Sequence, residues 1–195
     1  METLTSRLGC WFQFHFFTRK ALENRYFKDP IYRPASMLDV YEKFGSAFHL
    51  PLYVTEITIP GAGGAPTEGW SGPAIQAEVV ANLYRLWFAA PRMAGITWWN
   101  LGDGTAVEGE NVAQAGFLDK NMDPKPVYHA LDKLINHQWK TQPAGKTDAA
   151  GKFALRGFFG KYTVEVQSPA GSGAFEIDHA NDGPAAHKLV VGKKR

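Results

Sequence analysis

The sequence predicts an α/β chain built on a parallel sheet, followed by a small all-β module. Three observations carry this. Strand-like apolar runs occupy residues 11–17, 50–59 and 93–101. Each is followed by a segment with apolar residues at three- and four-residue steps, the spacing of one helix face. Beyond Trp139 the apolar period changes to two.

The first run is dense in aromatics. The second reads Leu-Pro-Leu-Tyr-Val-Thr-Glu-Ile-Thr-Ile and the third Met-Ala-Gly-Ile-Thr-Trp-Trp-Asn-Leu. All three are largely apolar on both faces, which suits strands covered on both sides of a parallel sheet. Ser36 is placed to cap a helix with the stripe Met37, Val40, Tyr41, Phe44 and Phe48. Pro73 opens a second helix, carrying Ile75, Val79, Leu83, Leu86 and Trp87. Pro126 opens a third, carrying Val127, Leu131, Leu134 and Ile135. Proline in a first turn forfeits no hydrogen bond, because that amide has no helical partner. The order β-α-β-α-β-α implies parallel strands joined by right-handed crossovers.

Residues 141–148, rich in Thr, Pro, Gly and Ala, read as a linker between residues 1–140 and residues 149–195. In the last segment Tyr162, Val164 and Val166 alternate with Thr163, Glu165 and Gln167. Phe153 and Leu155, Phe175 and Ile177, and Leu189 and Val191 repeat the pattern between glycines. The expectation is a β-sandwich of roughly five short strands, at a size where a single core is marginal.

The 195 residues are 45% hydrophobic and 21% charged, a globular composition. A net charge of +2 is too small for the basic footprint of a nucleic-acid binder. The one basic run, Lys193-Lys194-Arg195, reads as a solvated tail. No run of 18 apolar residues spans a membrane, and residues 1–8 lack the pattern of a signal peptide. A single cysteine, Cys10, leaves no internal disulfide. The six histidines are scattered, so neither a metal nor a cofactor is expected.

Glu56 is the sharpest chemical position. It follows Thr55 near the C-terminal end of an apolar strand, where a carboxylate is costly unless paired or used. Active sites of parallel α/β folds lie at that end of the strands. A salt bridge to a neighbouring helix would serve the position equally well. Gln13 and His15 sit two residues apart, hence on one strand face. A histidine beside a carboxylate can orient it and set its charge state, whereas a hydrogen-bonded core histidine is the plainer reading of His15 alone. Trp98 and Trp99 point to opposite faces of the third strand, and one of them can offer a flat platform to a sugar ring. Asn100 and Asp103 follow at once. Core packing is the commoner use of a strand tryptophan.

Four stretches, in order, resemble the C-terminal part of the glycoside hydrolase family 10 catalytic domain. That family comprises retaining endo-β-1,4-xylanases with a (β/α)8 TIM barrel. Gly9-Cys10-Trp11-Phe12-Gln13-Phe14-His15 is similar to its sixth strand, and Leu50-Pro51-Leu52-Tyr53-Val54-Thr55-Glu56 to its seventh. Gly95-Ile96-Thr97-Trp98-Trp99-Asn100-Leu101-Gly102-Asp103 is similar to its eighth strand. Gly116-Phe117-Leu118-Asp119, then Pro124-Lys125-Pro126-Val127-Tyr128, resembles the approach to its last helix. The resemblance implies that Glu56 is the nucleophile, oriented by His15. Gln13, Trp98, Trp99, Asn100 and Asp103 would then bind the substrate, xylan or a related β-glycan. It departs from the family pattern at Thr58, where many members have Asp, and at Asn100, where Gly is usual. The second tryptophan of the loop has no match in residues 104–114.

A retaining glycosidase needs two carboxyls about 5 to 5.5 Å apart. The family's acid/base belongs to an Asn-Glu pair on the fourth strand. The reversed pair Glu23-Asn24 falls in the stretch after the first strand and is not taken for it. A full barrel takes about 250 residues, so the expectation is three βα units, a partial barrel. The first five strands and the acid/base would lie upstream of Met1, and the isolated chain would be inactive and poorly stable, with Phe12, Phe14, Phe16 and Tyr53 badly covered. Residues 147–166 resemble small carboxypeptidase-regulatory-like sandwich domains. Both resemblances imply a secreted or periplasmic protein, and neither fixes an oligomeric state. Two other functions fit the same residues: a β-glycanase acting on another polymer, and a non-catalytic glycan binder using Trp70, Trp98 and Trp99.

Overall fold

A computed structural model describes residues 9–62, 72–180, 183, 184 and 186–192. Residues 1–8, Trp70 and the basic run 193–195 lie outside the described residues. The chain divides into two compact units, Met1–Asn136 and His137–Arg195.

The first unit is α/β. Its strands β1 (Cys10–His15), β2 (Leu52–Thr58) and β3 (Met93–Ile96) form a parallel sheet in the order β1-β2-β3. Helix α1 (Arg19–Arg25) follows β1, and a 3-10 turn, Pro30–Tyr32, leads into α2 (Pro34–Phe48). Helix α3 (Gly72–Ala89) joins β2 to β3. Helix α4 (Pro126–Asp132) packs against α3 and continues as a π-helical turn, Lys133–Gln138. Among the described residues, no helix is long and apolar enough to cross a membrane.

Phenylalanine on alternate positions of β1 and just beyond it builds the layer between sheet and helices. Phe12 meets Tyr41 and Phe44 of α2 edge-on, with ring centres 5.2 and 5.3 Å apart. Phe14 meets Trp87 of α3 at 5.5 Å, and Phe16 meets Tyr32 at 5.4 Å. From β2, Leu52, Val54 and Ile57 are buried in the same layer, and Ile75, Val79, Leu83, Leu86 and Trp87 of α3 close it. Burial pushes the phenols of Tyr41 and Tyr84 above their usual range, which keeps both hydroxyls neutral.

Phe16 is buried, and Phe12 and Phe14 have aromatic partners, so the sheet's helix-facing side is well covered. On β1 it is Trp11 that stands open, 67% exposed. Tyr53, only partly exposed, lies over two glycines, since a Cβ on Gly9 or Gly95 would come within 2.9 Å of its ring. Helix α2 starts at Pro34 behind Arg33, two residues before Ser36, and Phe44 and Phe48 of its stripe remain exposed. Glu23 and Asn24 lie in α1, capped by the Thr18 hydroxyl, which accepts from Ala21 N at 3.1 Å. The third strand ends at Ile96, five residues short of Leu101.

The second unit holds one antiparallel hairpin, β4 (Gly160–Ser168) and β5 (Gly171–His179). Tyr162, Val164, Val166, Phe175 and Ile177 share its half-buried face. Phe153, Leu155, Leu189 and Val191 lie in no strand, and no described residue of this unit is fully buried. The five-stranded sandwich is therefore replaced, among the described residues, by a hairpin. Alternation marks which face of a run is apolar, but a run of three residues has too few ladder bonds to recruit a partner strand.

Candidate active site

The site stands at the C-terminal ends of β1 and β2, and an irregularity in their pairing creates it. Phe12 pairs with Val54, but the next pair is Gln13 with Glu56, so Thr55 is an extra residue on β2. The Thr55 hydroxyl donates to Phe12 O at 3.4 Å across this bulge. Strict alternation would put Glu56 on the same side as Val54, which is fully buried. The extra residue turns Glu56 to the opposite face, where its carboxylate is 26% exposed.

Two side chains of β1 grip that carboxylate. Gln13 Nε2 donates to Oε1 at 2.9 Å, and His15 Nε2 lies 3.3 Å from Oε2. Their two-residue spacing aims both at the same group. His15 Nδ1 is 2.8 Å from Thr58 Oγ1, and Thr58 is fully buried. A carboxylate only accepts, so the proton of a neutral His15 belongs on Nε2, and Nδ1 then accepts from the Thr58 hydroxyl. Phe17, two residues on, stacks on the imidazole with ring centres 5.0 Å apart. Position, tautomer and ring plane of His15 are thus all set by neighbours.

Beyond β3 the chain runs on beside β2 through single hydrogen bonds. Thr97 N donates to Val54 O at 2.7 Å and Trp99 N to Ile57 O at 3.3 Å. This brings the Trp99 ring edge-on to His15, centres 6.3 Å apart, while the indole stays 42% exposed. Its Nε1 donates to Glu110 Oε2 at 2.8 Å. Trp98 turns elsewhere. It stacks on Phe117 at 4.5 Å and donates Nε1 to Ala115 O at 3.0 Å.

Asn100 and Asp103 line a shallow recess with Glu110, Asn111 and Gln114. Asp103 is committed to the loop: it accepts from Gly116 N at 2.8 Å and from Lys125 Nζ at 2.9 and 3.0 Å. Gly116 has to be glycine for this clasp to close, since a Cβ there would lie 2.5 Å from backbone atoms of Gly102 and Asp103. Gly116→Ala is expected to cost about 1–3 kcal/mol by overpacking, read as a lower urea midpoint with an unchanged slope.

The structure thus gathers Gln13, His15, Glu56 and Trp99, and places Trp98 and Asp103 in the supporting loop. Sequence reasoning misses Thr58, Phe17 and Glu110 as partners. Thr58 and Phe17 each stand two residues beyond a candidate residue, Glu56 and His15, a spacing that could have found them. Glu110 carries no such signal. Among the described residues no group of three or more His, Cys, Asp or Glu is arranged to hold a metal.

No protein-family model matches the chain. The chain is 29% identical over 124 residues to the anti-sigma-I factor RsgI6 of Acetivibrio thermocellus, a match covering 64% of this chain and 15% of that protein. Among solved structures, xylanase 10B of Thermotoga petrophila, in complex with xylobiose, is similar over 54% of this chain and 32% of its own, with 23% identity and a TM-score of 0.45. The xylanase Xyn10A of Cellvibrio japonicus is similar over 64% of this chain and 39% of its own, with 18% identity and a TM-score of 0.46. The chain spans between about a third and two fifths of those xylanases, and less than a sixth of the curated relative.

Proposed function

We propose that this chain carries the nucleophile half of a retaining β-glycosidase site, with Glu56 as the nucleophile and xylan as the substrate class. The single observation that supports this is the paired grip on Glu56: two donors from one strand hold a strand-end carboxylate partly open to solvent, and one of those donors, His15, has an exposed indole against its ring. Such a carboxylate is oriented yet reachable. Gln13 and His15 occupy an edge of each oxygen, and the remaining lone pairs can attack an anomeric carbon. His15 and Gln13 are the positioning residues, and Trp99 is the platform under the sugar ring. Attack forms the glycosyl ester at Glu56 as the bond to the leaving oxygen breaks. A second carboxyl, which protonates that oxygen and then activates water, completes a site of this kind.

A reagent whose leaving group needs no proton tests Glu56 without the acid/base. The full chain is incubated with 2,4-dinitrophenyl 2-deoxy-2-fluoro-β-xylobioside, and the digested protein is analysed by mass spectrometry. The expected result is one fluoroglycosyl adduct on the peptide containing Glu56, absent in Glu56→Gln and slowed in His15→Ala. No adduct, or an adduct unaffected by Glu56→Gln, would overturn the nucleophile.

A second reading has its own support. The relative with 29% identity is named as an anti-sigma-I factor. A non-catalytic glycan-binding unit of such a protein would use the same Trp99 platform, bind xylo-oligosaccharide and form no adduct with the same reagent.

A further inference from the structure

Glu110 is absorbed neither by the grip on Glu56 nor by the Asp103–Lys125 clasp. It lies in the turn before the 3-10 helix Asn111–Ala113, eleven positions past Trp99. Its Oε2 takes the indole N–H of Trp99 at 2.8 Å. That N–H is the indole's one polar group, and the ring also has an edge contact with His15. An exposed indole on two free torsions is a poor platform, because a sugar must order it on binding. A charged acceptor on Nε1 removes that freedom beforehand, through a hydrogen bond stronger than a neutral one.

The segment bearing Glu110 is itself fastened. The Asn111 side chain accepts from Ala106 N at 3.0 Å and donates to Ala106 O at 3.3 Å. Ala113 N donates to Glu110 O at 3.1 Å. Ala113 O in turn receives the backbone amides of Gly61 and Ala62, both at 3.0 Å, from the segment that follows β2. The strand carrying Glu56 and the loop carrying Glu110 therefore continue into one hydrogen-bonded assembly.

We propose that Glu110 is a positioning residue that sets the Trp99 ring for a β-linked pyranoside, an inference that rests on the sugar-site reading above. It acts through Trp99 and takes no part in bond cleavage. Two readouts on the 15N-labelled full chain test it, with Trp99→Ala identifying the indole resonance and xylotetraose as the probe. The Trp99 indole N–H signal is expected to move upfield in Glu110→Ala, which removes its acceptor, and to keep most of its wild-type position in Glu110→Gln. Xylotetraose affinity is expected to fall roughly tenfold in Glu110→Ala, with partial recovery in Glu110→Gln, whose amide oxygen still accepts. Wild-type binding matched by Glu110→Ala, or an indole signal unmoved in Glu110→Ala, would overturn the role of Glu110 alone. A wild-type chain that does not bind xylotetraose, with the indole signal still moved by Glu110→Ala, would overturn the sugar-site reading and this inference with it.

Discussion

Trp87→Ala is expected to cost about 3–5 kcal/mol of stability, the range for deleting a fully buried large aromatic. Trp87 is completely buried at the centre of the aromatic layer. Its ring packs on Phe14 of β1 and on Tyr84 of its own helix, with centres 5.5 and 5.7 Å away. Its Nε1 donates to the Tyr41 hydroxyl of α2 at 2.8 Å. Truncation therefore opens a cavity and removes the hydrogen bond of a buried phenol at once. A domain stable by about 5–15 kcal/mol has little left after such a loss. Trp87→Phe, which keeps a ring but not the donor, is expected to lose distinctly less. Urea unfolding followed by circular dichroism reads both, and equal midpoints for Trp87→Ala and wild type would contradict the packing described. Because Phe14 sits between Gln13 and His15, the loss also loosens the strand that grips Glu56.

Lys125→Met is expected to be comparably costly, about 3–5 kcal/mol, because it leaves an unpaired buried carboxylate. The two side chains of the pair are only 9% and 14% exposed. An ammonium has three donors, and here each has an acceptor: the two Asp103 oxygens and Gln114 O at 2.7 Å. The clasp ties the loop after β3 to the entry of α4. The double variant Asp103→Asn/Lys125→Met removes the orphan charge and keeps an acceptor for Gly116 N. It is expected to recover a measurable part of the loss in the same unfolding experiment. A double variant no more stable than Lys125→Met would show that the charge is not what the pair neutralises.

Side-chain periodicity makes the α/β core readable in the sequence. The prolines Pro73 and Pro126 stand in the first turns of α3 and α4, and the stripe from Ile75 to Trp87 is buried as spaced. Helix α1 is not legible in this way because it is short and buries one residue, Leu22, so it has no stripe to read. The third strand is shorter than its apolar run because Thr97, Trp98 and Trp99 have strand-like side chains without a strand's ladder. Their pairing with β2 is reduced to separate hydrogen bonds, which no local pattern reveals. At the site, one strand face for Gln13 and His15 follows from their spacing. That Glu56 joins them does not, since alternation sends Glu56 toward Val54 and only the bulge at Thr55 reverses it. A bulge is a property of two paired strands, and a single strand's sequence does not carry it. Glu110 depends on the course of a loop, and the five-stranded module on long-range pairings that alternation does not encode.

We propose that the carboxylate held by Gln13 and His15 attacks a sugar resting on Trp99. A crystal structure of the full chain after reaction with the fluorinated dinitrophenyl xylobioside tests it most directly. Continuous density is expected from a Glu56 carboxylate oxygen into C1 of a pyranose, with that ring against the Trp99 indole and His15 still bonded to Thr58. Density for the sugar on a different carboxylate, or a Glu56 turned away from both β1 side chains, would contradict it.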